Sequence, residues 1–222
     1  MKPLIKVMLV LGSIFALTFV MGRLLGILTV ENVRLWLELA ANVDPLWLVG
    51  TVILLLFLDL FVAVPTLTIT ILAGYFLGFS AGATAAFIGM SVAAFSGYTI
   101  SRIWGERAIS LLVRNPDDRQ EMARTFHQNG PVMIVLSRAA PIVPEVTACM
   151  AGATNMNFVR YVSYFSLSTL PYVLIASYAG SISSVESPHP AIYAVLFLYG
   201  TLWTGWYLFR RKTRSVAKFD LT

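Results

Sequence analysis

Apolar residues run along this chain in long blocks separated by short polar breaks, at lengths that suit bilayer-crossing helices. Leu4 to Gly22 predicts a first crossing helix. Glu31 to Asn42 differs: Glu31, Arg34 and Glu38 share one helical face, and Val33, Trp36, Leu37 and Ala40 the other. That pattern fits a helix lying in a membrane interface or a short polar-faced loop helix, ended by Asp44-Pro45. Leu46 to Ile103 is almost wholly apolar, with Asp59 its one charge before Arg102. Pro65, Thr66, Thr68 and Thr70 interrupt its first part, Gly74, Gly78 and Gly82 follow, and a cleaner span is expected from about Ala81 to Ser101. Arg102 to Gly130 is the main polar segment, where Asn115-Pro116-Asp117-Asp118 reads as an N-cap, a first-turn proline and two first-turn acids. The helix it opens is expected to stop near Gln128, before Asn129-Gly130-Pro131. Pro131 to Thr154 is apolar but broken by Pro141 and Pro144. Phe158 to Ala179 predicts a span kinked at Pro171, and Ala191 to Phe209 a last span followed by a basic tail.

The order of charges narrows the topology. Lys2 and Lys6 at one end and Arg210, Arg211, Lys212, Arg214 and Lys218 at the other place both termini in the cytoplasm, which requires an even number of full crossings. If all six apolar blocks cross, the segment Arg102 to Gly130, with five arginines, falls outside. If the two proline-broken blocks are re-entrant hairpins, four blocks cross and that segment falls inside, as the positive-inside bias requires. Irregular backbone at membrane depth survives only under cover of protein or a wet cavity. The halves also share a pattern: Pro65 precedes Gly74 by nine residues, Pro144 precedes Gly152 by eight, and a long span follows each. Paired Pro/Gly-interrupted segments point to an inverted repeat with a site between its halves; the other reading is a coincidence of common membrane residues. The expected fold is therefore an all-α integral membrane protein with about four full transmembrane helices, two opposed re-entrant helical hairpins in an inverted repeat, and short interfacial helices.

Composition supports this class. Of the 222 residues 58% are hydrophobic and 12% charged, and the mean hydropathy is +0.77. No soluble domain of this length buries so much apolar surface in one core, which excludes a soluble enzyme, a disordered chain and a secreted disulfide scaffold. The net charge of +5 comes from cations beside apolar runs, a topology signal and not a nucleic-acid footprint. Cys149 is the one cysteine, so no intramolecular disulfide forms; His127 and His189 stand far apart without Cys or acidic clusters, so neither a metal nor another cofactor is expected. The apolar N-terminal run lacks a small-x-small cleavage site and reads as a retained span.

Asp59, Arg138 and Glu145 are the ionisable residues well inside apolar blocks. One charge at the bilayer centre costs about 2.5–3.5 kcal/mol on insertion scales, so each should face a polar cavity or pair with another. The functional reading gives Arg138 an anionic headgroup, held by its planar fork, with Asp59 and Glu145 balancing its charge or exchanging protons. The structural reading makes them ion pairs at the hairpin tips. Pro65, Gly74, Pro141, Pro144 and Gly152 are the hairpin-forming candidates. No catalytic residue is assigned: Ser137 has no candidate base beside it, and "GYFLGFSAG" follows no polar βα unit.

The strings "VPTLTITILAGYFLGFSAG", "GYTISRIWGER" and "SRAAPIVPEVTACMAGATNMNF" resemble the DedA / SNARE-associated Golgi protein family, whose shared region is the VTT domain. The second is similar to that family's G-x-Y-x-x-G-R-x-x-G run, with Ser101 in place of the glycine before Arg102. The third is similar to its R-x-x-P motif followed by Ala-Gly and an aromatic, here Arg138, Pro141, Ala151-Gly152 and Phe158. The chain departs from the bacterial DedA subgroup at Thr66-Leu67, where that subgroup has an acid, and at Pro144-Glu145, where it has a second arginine; it looks closer to the Golgi-type subgroup found in bacteria. The resemblance implies two opposed re-entrant hairpins and a non-enzymatic lipid transporter or scramblase moving phospholipid or polyprenyl-phosphate headgroups between leaflets. The alternatives are a proton- or ion-coupled small-solute transporter and a non-transporting membrane organiser. The implied partners are a membrane phospholipid or lipid-linked phosphate, with no nucleic acid and with a homo-oligomer open. The implied location is a bacterial plasma membrane. The expected division is an N-terminal transmembrane and interfacial pair over 1–45, a VTT-like domain over 46–185, and a last transmembrane helix with a basic cytoplasmic tail over 186–222.

Overall fold

The computed structural model describes residues 2–24, 30–41, 44–61, 64–140, 142–183 and 189–219. Every element among them is helical. In chain order these are α1 (Lys2–Leu24), α2 (Val30–Ala41), α3 (Pro45–Leu58), α4 (Thr66–Leu77), α5 (Phe79–Leu112), α6 (Pro116–Leu136), a 3-10 turn η1 (Ser137–Ala139), α7 (Val143–Ala153), α8 (Phe158–Ser181) and α9 (His189–Phe219). Large apolar side chains stand open on the outside of the bundle, among them Leu9, Leu17, Leu54, Leu167, Leu196 and Phe197. Exposed hydrophobic surface on this scale suits hydrocarbon and not water. Among the described residues one stretch, Phe79–Gly105, is both long and apolar enough to cross a membrane by itself; Pro3–Thr18, Pro45–Leu58 and Thr66–Leu77 are shorter apolar helices.

Local sequence explains most boundaries. Asp44 accepts a hydrogen bond from the Leu46 N–H (2.7 Å) and Pro45 occupies the first turn, so Asp44-Pro45 opens α3 as well as closing α2. Asn115 caps α6 in the same way, accepting from the Asp117 N–H at 3.0 Å. Arg34 and Glu38 form an ion pair of 2.7 Å on the exposed face of α2. Gly78, at φ +78°, turns α4 directly into α5. Two boundaries differ from the sequence reading. The long helix begins at Phe79 and continues to Leu112, well past Ser101. The helix opened by Asn115 runs through Pro131 to Leu136. Met122, Phe126, Gly130 and Ile134 lie four apart and are all buried, and this continuous packed face outweighs the amide hydrogen bond that Pro131 removes. The basic segment after Phe209 likewise continues α9.

The two halves interlock. The first apolar block is α3, a break and α4; the second is the end of α6, a break through η1, and α7. Each arm after a break packs against the long helix of the other half, α4 on α8 and α7 on α5. Glycines set these crossings. A Cβ on Gly74 would lie 2.0 Å from the Ser177 carbonyl oxygen, and one on Gly180 would lie 1.9 Å from that of Ile71, so α4 and α8 each supply a glycine to the same contact. Gly152 does the same on α5, where a Cβ would lie 2.1 Å from the Tyr98 oxygen. Gly74 and Gly152 thus mark where the returning arms touch the opposite half, not the turns themselves.

Replacing Gly74, Gly152 or Gly180 by Ala forces backbone against backbone and should cost on the order of 1–3 kcal/mol or more. Gly50→Ala meets open space within α3 and should be neutral or mildly stabilising. Thermal unfolding of the four purified variants in detergent checks the contrast: a Gly74→Ala midpoint equal to that of Gly50→Ala would remove the close crossing.

Candidate functional site

The break in the first block is held by an acid. Asp59 follows α3, is 7% exposed, and its Oδ1 accepts from the Val64 N–H at 2.8 Å. Pro65 then stands at the N-cap of α4, and two carbonyls tie down the first turn: the Ile69 N–H donates to Pro65 O at 3.0 Å and Thr70 Oγ1 donates to Thr66 O at 2.8 Å. The second break carries the cation. Arg138 lies in η1 and is 8% exposed. Ile142 takes a left-handed φ of +76° at the N-cap of α7, an uncommon conformation for a β-branched residue. Pro144 and Glu145 follow in the first turn of α7. Pro141 lies outside the described residues.

These breaks meet. Asp59, Arg138, Pro144 and Glu145 line two adjoining cavities. The inner one, walled by Leu56, Met90, Ile134, Tyr161 and Phe165, offers about 20 Å³, room for a single water. The outer one offers about 320 Å³ and is lined by the first turn of α4, the first turn of α7, and Tyr172, Val195 and Tyr199. The three ionisable residues singled out in the sequence therefore share one site, together with Pro65 and Pro144. Gly74 and Gly152 serve it at a distance, through the crossings.

The contacts of Arg138 are not with the acids. Its Nη2 donates to Thr169 Oγ1 at 3.2 Å, and its guanidinium carbon stands 5.3 Å from the Tyr172 ring centre and 5.9 Å from that of Phe165. Among the described residues no carboxylate comes within ion-pair distance of it. Ring faces and one hydroxyl replace the counter-ion, and most of a guanidinium's five donors are left for another acceptor. Asp59 and Glu145 line the same two cavities, and Glu145 Oε2 is buried with no donor among the described residues. Thr169, Phe165, Tyr172 and Tyr161 were not singled out in the sequence. Their signal is periodic: positions 161, 165, 169 and 172 repeat at four and three along α8, and all four are buried on one face.

The helix starts around the outer cavity are bare. The N-termini of α3, α6 and α8 are capped by Asp44, Asn115 and Asn157. Neither α4 nor α7 has a side-chain cap, and both present their first turns to the outer cavity. First-turn amides and the positive end of the helix dipole favour an anion there. A second polar network lies at the far end of α7. Tyr98 OH donates to the Met156 carbonyl, Arg102 Nη1 donates to Tyr98 OH at 2.6 Å, and His127 Nε2 meets the Thr154 carbonyl at 2.9 Å.

The VTT domain matches residues 64–182, more than half of the chain, a range that includes Arg138, Glu145 and the buried face of α8 but not Asp59. The chain belongs to the VTT-domain (DedA) family of membrane proteins. It is 30% identical to Protein DedA of Escherichia coli K12 over 148 residues, an alignment that takes in 57% of this chain and 66% of that protein. The protein of the same name from E. coli O157:H7 matches to the same extent. The chain thus spans just under two thirds of the length of these relatives. No solved structure matches it.

Asp59→Asn keeps an oxygen acceptor for the Val64 N–H, whereas Asp59→Ala leaves that buried amide unsatisfied. The alanine variant should lose about 1–3 kcal/mol and the asparagine variant much less. Unfolding of both in detergent tests this, and equal losses would remove the bracing role of Asp59 Oδ1.

Proposed function

We propose that this protein moves an anionic lipid headgroup, of a phospholipid or a polyprenyl phosphate, between the leaflets of the membrane. The observation that carries this reading is the outer cavity, where Arg138 and the uncapped first turns of α4 and α7 converge. Broken helices whose N-termini face a polar cavity are a recurrent way of holding anionic substrates in membrane transporters. In this reading the two broken blocks are re-entrant hairpins opposed across the bilayer, four further helices cross it, and both termini face the cytoplasm. The headgroup meets Arg138 while its tails stay in hydrocarbon. The protein works without a resident cofactor and performs no covalent chemistry. In this reading the chain is nearer the Golgi-type subgroup of its family, which Thr66-Leu67 and Pro144-Glu145 support.

The presence of both Asp59 and Glu145 in the walls of the inner and outer cavities favours a second reading, a proton-coupled transporter of a small anionic solute. A requirement for a pH gradient, with no movement of lipid, would select it.

In liposomes containing equal amounts of folded protein, Arg138→Ala should slow movement of fluorescent phosphatidylglycerol about tenfold or more, the loss expected for a charge-assisted hydrogen bond. Arg138→Lys keeps the charge, loses the planar fork and should fall between. Wild-type rates in folded Arg138→Ala would end the headgroup role. The topology is tested separately. A cysteine placed by Asp117→Cys in a Cys149→Ala background should resist an impermeant thiol reagent added outside intact cells. Labelling there would rule out the four-crossing arrangement.

A further inference from the structure

Beside the outer cavity lies a groove of about 440 Å³ lined only by apolar residues: Ile5, Met8, Leu9 and Gly12 of α1, and Ile142, Val143 and Val146 at the start of α7. The α1 residues recur at three and four, forming one stripe down the helix, and Ile5 and Leu9 are more than half exposed. Ile142 lines this groove and also the outer cavity that holds Arg138. A single residue, held at φ +76°, therefore stands between the cavity that holds Arg138 and the apolar groove.

Gly12 forms part of the channel wall in a second sense. A glycine inside a helix leaves free the space of one side chain. Gly74, Gly152 and Gly180 each admit a neighbouring backbone, whereas a Cβ on Gly12 would meet no protein atom within 4 Å. The space it leaves belongs to the groove.

We propose that this groove binds an acyl chain of the same lipid whose headgroup occupies the Arg138 cavity, with Ile142 as the residue the lipid straddles. The inference rests on the headgroup reading above and deepens it: the substrate is recognised in two parts, and the α1–α7 groove selects for a long hydrocarbon tail. The wholly apolar lining accepts hydrocarbon and offers a headgroup nothing to bond. Ile142 is a wall common to the groove and the cavity, so a tail in the groove lies next to the anion site.

The test fills the groove from Gly12, where an added Cβ meets no protein atom within 4 Å. Full-length wild type, Gly12→Ala, Gly12→Phe and Arg138→Ala are reconstituted in phosphatidylcholine liposomes. Two quantities are read: movement of fluorescent long-chain phosphatidylglycerol, and binding of water-soluble glycerol 1-phosphate by calorimetry in detergent. Gly12→Phe should slow the long-chain lipid about tenfold and Gly12→Ala much less, with glycerol phosphate binding and unfolding midpoint unchanged in both. Arg138→Ala should lose both lipid movement and glycerol phosphate binding. Wild-type lipid movement in folded Gly12→Phe overturns the tail groove, while loss in Arg138→Ala alone leaves the headgroup reading standing. Loss of glycerol phosphate binding in Gly12→Phe also overturns it, because filling the groove would then act by distorting the cavity. A change of oligomeric mass in Gly12→Phe with unchanged lipid movement assigns the groove to a second copy of this chain and overturns the proposal too. Wild-type behaviour of Arg138→Ala in both assays removes the headgroup reading itself.

Discussion

A helix interrupted inside apolar sequence exposes amides and carbonyls that hydrocarbon cannot satisfy, and this constraint governs the rest of the structure. At both breaks described residues are buried: Asp59, Leu60 and Val64 after α3, and Ser137, Arg138 and Ala139 after α6. Close burial of one helix on another requires small residues where the backbones meet. Gly74 and Gly180 provide them between α4 and α8, and Gly152 provides one between α7 and α5. The crossings and the breaks are therefore one design: each arm is held by the half that it faces, and the two breaks are thereby brought to the same place.

What gathers at that place follows from electrostatics. Asp59 spends one carboxylate oxygen on the Val64 amide and so helps to define the first break, while sharing the cavity with Glu145. Arg138 is kept by ring faces and by Thr169, partners that stabilise a cation without neutralising it. A guanidinium paired tightly with a carboxylate would have little capacity left for an incoming anion. The arrangement around Arg138 leaves that capacity available, and the uncapped starts of α4 and α7 add donors on the same side. The outer cavity and the apolar groove share Ile142 as a common wall.

The sequence was legible where a local rule acts alone. Composition and apolar blocks placed the helices. Asn115-Pro116 was readable as a helix start because its hydrogen bond is made within two residues; Asp44-Pro45, read as a helix end, makes the same kind of bond and starts α3. Pro65 and Pro144 marked the broken blocks, and the cost of charge in apolar surroundings drew attention to Asp59, Arg138 and Glu145 before any coordinates. Pro131 misled, since its local penalty is outweighed by the buried face of Met122, Phe126, Gly130 and Ile134, which local sequence rules do not weigh.

By itself, then, the sequence determined an apolar, helical, twice-interrupted chain with three costly charges and the motifs of its family. It determined them because hydropathy, proline geometry and capping are set by near neighbours along the chain. Only the tertiary structure decided that α4 lies on α8 and α7 on α5, that the three charges share one site, and that Arg138 faces Thr169, Phe165 and Tyr172 in place of an acid. Those choices depend on shape complementarity between segments tens of residues apart, where a missing side chain on one helix admits the backbone of another, and no local pattern encodes which pair will meet.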